Sequence, residues 1–149
     1  MKKLIYTLLI IIVGLISSCD GFEISHNGDL DGMWHLVKVD SIQSGVNKSV
    51  DYTHEGIYWS FQDDLMYVDD KLQRYQSLYL RFKLDNNQLV TSNPYINHHR
   101  EQAEEPTTDV TLLSPYGINA IPQAFSVEKL NSDDMILMSS LVRLTFVKY

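Results

Sequence analysis

Ser77-Leu78-Tyr79-Leu80-Arg81-Phe82-Lys83-Leu84-Asp85 alternates in polarity along its whole length. Successive side chains of a strand point to opposite faces, so Leu78, Leu80, Phe82 and Leu84 share one side while Tyr79, Arg81 and Lys83 share the other. The stretch reads as a half-buried β-strand. Asn86-Asn87 follows it, a pair suited to a tight turn because asparagine tolerates positive φ, and residues 88–92 (QLVTS) return as its partner.

The same pattern extends to both sides. In residues 56–62 (GIYWSFQ), Ile57, Trp59 and Phe61 share one face and Tyr58, Ser60 and Gln62 the other. Asp63-Asp64 breaks that run, residues 65–68 (LMYV) form its hairpin partner, and Asp69-Asp70-Lys71 makes the next turn. Upstream, residues 32–42 (GMWHLVKVDSI) are rich in β-branched and aromatic residues and form the first strand, with apolar side chains on both faces near positions 33–36. Residues 43–54 are a polar connection. Near the end come residues 124–130 (AFSVEKL), a turn at 131–133, then 134–140 (DMILMSS) and 141–149 (LVRLTFVKY). In that last strand Val142, Leu144 and Phe146 look inward, and parity turns Arg143 outward.

Between residues 93 and 122 the alternation lapses. This stretch holds all four prolines of the chain together with the runs HHREQAEEP and TLLSPYGIN, and a loop of this length is commonly functional or mobile. Nine tyrosines, five phenylalanines and two tryptophans favour a sheet-rich core. About eight short strands with turns between them suit an antiparallel sandwich or an up-and-down barrel. Closure removes exposed strand edges, so an all-β, up-and-down barrel over residues 32–149 is expected.

Residues 1–31 follow a different logic. Lys2 and Lys3 precede an apolar run of 13 residues, from Leu4 to Ile16. A spanning helix needs roughly 20 residues, so the run is read as the helix of a cleaved signal peptide over residues 1–18. Ile16-Ser17-Ser18-Cys19 resembles the lipobox of bacterial lipoproteins, in which the cysteine is lipidated and the chain is cut before it. The resemblance implies a membrane anchor of three acyl chains on Cys19, palmitate among them, far more than the single chain that binds only marginally. Residues 19–31 are acidic and polar and read as a flexible tether. The acidic Asp20 and Glu23 lean the destination toward the outer membrane, periplasmic or surface-exposed.

At Gly32-Met33-Trp34 the chain resembles the Gly-x-Trp signature of lipocalins. Its layout is similar to that of lipocalin-like lipoproteins of unknown function from gut Bacteroidota, which share the lipobox, the acidic tether, "GxWxL" and closing strands reading "VEKLNSDDMIL…LTFVKY". The resemblance implies an eight-stranded barrel with the tryptophan closing its base and, in lipocalins, an arginine of the last strand packed across it. Arg143 is the candidate by position.

Composition and motifs bound the function. Without residues 1–18, which carry two lysines and no acid, 131 residues remain and the net charge goes from −7 to −9, unsuited to nucleic acid. Cys19 is the only cysteine, so its lipidation leaves no disulfide and no thiol nucleophile. No Gly-x-Ser-x-Gly elbow or phosphate loop is present, and no enzyme activity or cofactor is expected. His98-His99 lacks metal-ligand spacing and is read as loop histidines, with no metal expected; the aspartate pairs at 63–64, 69–70 and 133–134 sit at turns.

The inward aromatics Trp34, Trp59, Phe61, Phe82, Phe125 and Phe146 have two readings. They form a packed core, or they line a cavity for one small apolar ligand, as an eight-stranded barrel can just enclose. The preferred expectation is a membrane-anchored envelope protein that binds such a ligand or serves as an envelope accessory. The other is a protein-interaction module that uses the 93–122 loop, with a filled barrel and no ligand; the sequence names no protein partner.

Overall fold

The computed structural model describes residues 25–42, 48–98 and 103–149; the signal segment, Cys19 and His99 lie outside these. Ten strands form one sheet: β1 (Gly32–Ser41), β2 (Ser49–Asp51), β3 (Ile57–Gln62), β4 (Leu65–Asp70), β5 (Leu78–Asp85), β6 (Gln88–Ile96), β7 (Glu105–Pro106), β8 (Gln123–Leu130), β9 (Asp134–Met138) and β10 (Val142–Lys148). Eight of them run in the order β10-β9-β8-β6-β5-β4-β3-β1, and β10 pairs back onto β1, closing an antiparallel barrel. Strand β2 flanks β1 and β7 flanks β6.

The hairpin turns follow the residue chemistry. Asp63, Asn86 and Asn87 take φ of 53°, 47° and 60°, the left-handed region that aspartate and asparagine enter most readily among residues with a Cβ. β5 has the alternation expected of it, with Leu78, Leu80 and Phe82 buried and Arg81 and Lys83 exposed. The mixed parity of β1 has a physical cause as well. Trp34 and Leu36 point inward, while outside the barrel His35 stacks on Tyr58 (4.6 Å between ring centroids) and Tyr149 meets Tyr58 edge-on (5.2 Å). A register shift between Leu36 and Lys38 then resets the alternation.

Four elements differ from the sequence expectation, one of them β7, which pairs with β6 inside the stretch read as a loop. β6 runs on to Ile96, because Asn93 (φ 48°) forms a bulge that absorbs the extra residue and leaves Pro94 where no ladder donor is needed. The polar connection after β1 contains β2, which pairs with residues 38–40 of β1. β4 extends through Asp70, so Asp69-Asp70 lies in the strand and the turn comes after it. The Asp70 carboxylate is buried, but it accepts bonds from the Leu72 and Arg74 amides (2.9 and 2.8 Å) and from Arg74 Nε (3.0 Å). Burial alone would raise that carboxyl; these bonds and the guanidinium charge outweigh it and hold the pKa below its ordinary value.

The base of the barrel carries the β3–β4, β5–β6 and β8–β9 turns. A 3-10 turn (Gly28–Leu30) seals it with the buried Leu30, and the Trp34 indole donates to the Leu30 carbonyl (2.8 Å). Residues 25–31, the described part of the expected tether, are bonded to this end: Ser25 Oγ accepts from the Asp63 amide (2.9 Å) and Asn27 Nδ2 donates to the Asp63 carbonyl (2.7 Å). The cation across Trp34 is Lys148, with Nζ 4.2 Å from the ring centroid while it donates to the Asp29 and Asp31 carbonyls. Arg143 points outward, as its parity requires, and pairs with Glu128 (2.6 Å).

Candidate functional site

All six inward aromatics are buried inside the barrel, on five different strands. Trp59 is their hub. Its ring lies 4.9 Å from Phe146, 5.7 Å from Phe125 and 6.2 Å from Phe61, centroid to centroid, and Phe61 meets Phe82 edge-on at 5.0 Å. Trp34 sits opposite Trp59 in the β1–β3 register and caps the set from below.

The other end of the barrel, its rim, is closed by part of the 93–122 stretch. Two 3-10 turns, Val110–Leu112 and Ser114–Tyr116, turn the chain inward, and Leu113, Tyr116 and Ile118 are each fully buried in the same hydrophobic cluster as the aromatics. Asp109 caps the first turn by accepting from the Thr111 amide (2.9 Å). Pro115 opens the second, and Gly117 ends it at φ 84°. The buried polar atoms of this plug find partners. Trp59 Nε1 donates to the Tyr116 carbonyl (3.2 Å), and the Tyr116 hydroxyl donates to the Gln76 carbonyl (2.9 Å). The barrel is therefore stoppered at both ends, by Leu30 below and by residues 113–118 above.

Sequence reading found the six aromatics and missed the plug. The apolar spacing of Leu112, Leu113, Tyr116 and Ile118, with proline entering and glycine leaving a short turn, was the available signal. It missed Lys148 also, because parity assigns that side chain to a face without saying that it folds back over the base.

On the outside, the β4–β5 connection at the rim encloses a cleft of about 620 Å³ between Tyr67 and Tyr75. Arg74 organises it, bonded to Asp70 and to the carboxylate (2.5 Å) and backbone carbonyl of Glu55. Among the described residues no three of histidine, cysteine, aspartate and glutamate converge on one point. His98 is half-buried, with Nε2 3.8 Å from Glu105.

The sequence model of the lipocalin-like domain matches residues 14–149. The chain belongs to that family. A crystal structure of a lipocalin-like protein from Bacteroides uniformis superposes with a TM-score of 0.57 at 18% identity, covering 82% of this chain and 100% of the other. An uncharacterised protein from Bacteroides eggerthii superposes at 0.51 with 19% identity, covering 80% and 99%. At these identities the likeness concerns the fold alone. No curated protein matches the chain.

The plug predicts an alkaline limit to the stability of this lipocalin-like domain. Burial pushes the Tyr116 phenol well above its ordinary value of 10, and the nearby Asp69 and Asp70 push it further. A folded-state pKa raised in this way contributes stability that is whole below pH 10. It is lost as pH rises beyond that, because the unfolded phenol ionises first. Urea midpoints measured upward from pH 9 should fall beyond pH 10 in the wild type and fall less steeply in Tyr116→Phe; equal slopes would show that another group governs the loss.

Proposed function

We propose that this protein is a lipid-anchored module of the bacterial cell envelope whose barrel interior is structural core, and which engages what it binds through its outer surface and rim loops. The observation that carries this reading is the plug: Leu113, Tyr116 and Ile118 occupy the mouth through which a lipocalin-like barrel would admit cargo. An apolar ligand among Trp59, Phe125 and Phe146 would require residues 110–118 to leave, breaking the Trp59–Tyr116 and Tyr116–Gln76 bonds. The anchor reading is supported by Cys19 behind Ile16-Ser17-Ser18 and by the short apolar run before it. Asp20 and Glu23 favour the outer membrane as the destination.

Both parts are testable on the protein as its own cell makes it. Native mass spectrometry after isolation in a volatile, detergent-exchanged buffer should give a mass equal to residues 19–149 plus acyl groups. A further apolar molecule that departs only on denaturation would overturn the filled-core reading. Cys19→Ala should move the protein out of the membrane fraction, and unchanged membrane partition would overturn the anchor.

A further inference from the structure

The rim cleft between Tyr67 and Tyr75 is built more firmly than a connecting loop requires. The Asp70 carboxylate holds the Leu72 and Arg74 amides from one side. The Tyr116 hydroxyl holds the Gln76 carbonyl from below, and Gln76 Nε2 donates to the Asn97 carbonyl (2.6 Å) on the far side. Gln73, between these fixed points, is kept at φ 55°, a conformation that side chains with a Cβ seldom adopt. Three separate restraints thus pre-form the cleft, and a ligand would spend little free energy in ordering it.

The lining identifies the class of ligand. It contains two acids and two bases, and they satisfy one another: Lys71 pairs with Asp69 (2.6 Å) and Arg74 with Asp70 (3.0 Å). Glu55 also bonds Arg74, so three carboxylates share two cations. No cation is left over to select an anion, and the net charge of −9 without residues 1–18 repels polyanions. Two tyrosines, Tyr67 and Tyr75, belong to the lining. Tyr75 is 45% exposed, with the Arg74 guanidinium 5.3 Å from its ring centroid. The rest of the lining is polar, with Asp69, Lys71, Gln73 and Gln76 among it. A purely apolar ligand would strip water from Gln73 and from the exposed Lys71–Asp69 pair without replacing its hydrogen bonds. A ligand with one apolar face and many hydroxyls satisfies both kinds of surface.

We propose that this cleft binds a neutral sugar, its C–H face lying on Tyr75 and its hydroxyls bonding to Asp69, Lys71 and Gln73. The inference rests on the reading that the domain works through its outer surface. The cleft lies at the end of the barrel opposite Ser25 and Asn27, which are bonded to the β3–β4 turn.

The test uses the full lipoprotein in a detergent without a sugar headgroup. It is titrated calorimetrically with neutral gluco-, manno-, galacto- and xylo-oligosaccharides, and with dextran sulfate as the anionic comparison. At least one neutral series should bind, and Tyr75→Ala and Gln73→Ala should each weaken that binding about tenfold or more with the melting temperature unchanged. Tyr95→Ala, a tyrosine of the outer face beyond the cleft, should leave it intact. Binding of dextran sulfate alone, no binding by any neutral series, or binding indifferent to Tyr75 and Gln73 would each overturn the assignment. An apolar adduct in the native mass spectrum would count against the filled-core reading instead, so the two failures are told apart.

Discussion

Trp59→Ala should destabilise the domain by about 3–5 kcal/mol, the range for removing a large buried aromatic from a core that cannot fully collapse. Trp59 is fully buried and touches Phe61, Phe125 and Phe146, and its indole N–H is the partner of the Tyr116 carbonyl. Domains of this size hold only about 5–15 kcal/mol in total, so the loss takes a large share of the stability. Trp59→Phe separates the two contributions. It keeps much of the ring volume but leaves a buried carbonyl unpaired, which costs about 1–3 kcal/mol. Urea unfolding followed by circular dichroism reads both variants. A cost under about 1 kcal/mol for Trp59→Ala would mean that the interior tolerates a void, as a hollow ligand chamber does and a packed core does not.

Gly117→Ala should cost about 2–5 kcal/mol, from two sources. The residue sits at φ 84°, where a Cβ meets its own backbone at about 1–2 kcal/mol. A Cβ there would also lie 2.7 and 2.9 Å from the two methyls of Leu144, which are packed inside the barrel and have little room to move. Overpacking of that kind costs about 1–3 kcal/mol. Leu144→Ala should relieve the second source and leave the first. The double variant is therefore expected to be less destabilised than the sum of the singles, with a coupling of about 1–3 kcal/mol. Strict additivity would show that the plug shifts away from Leu144 rather than pressing on it, and the seat of the plug would then need reassignment.

The two effects bear on different parts of the molecule's legibility. Trp59 was readable as an inward residue from the alternation of residues 56–62, since a period of two fixes which side chains share a face before any partner strand is known. The same rule placed Leu78, Leu80 and Phe82 inside and sent Arg143 out. It had nothing to say about Gly117 or Tyr116. They lie in a stretch without periodicity, and what buries them is a barrel mouth built by strands distant in sequence. Asp70 shows the same limit from the polar side. Two adjacent aspartates look like a turn, and only the amides that reach back from Leu72 and Arg74 allow one of them to be buried in a strand end. The rim cleft was invisible for the same reason: Tyr67, Tyr75 and the groups between them become a site only when Tyr116 and Asn97 fix the loop.

By itself the sequence determined the eight barrel strands in outline, their inward faces and the closing of the sheet, because these follow from local alternation, turn chemistry and the cost of an open edge. The short flanking strands β2 and β7 it did not. It determined the family also, through Gly32-Met33-Trp34 and the terminal strands. The tertiary structure decided what fills the barrel. Alternation specifies that Trp59, Phe125 and Phe146 face inward but carries no information on how far apart the opposite walls stand or what lies between them. That volume depends on the long 93–122 connection folding back through the mouth, where Leu113, Tyr116 and Ile118 lose their apolar surface to water only because the barrel is already there to receive them.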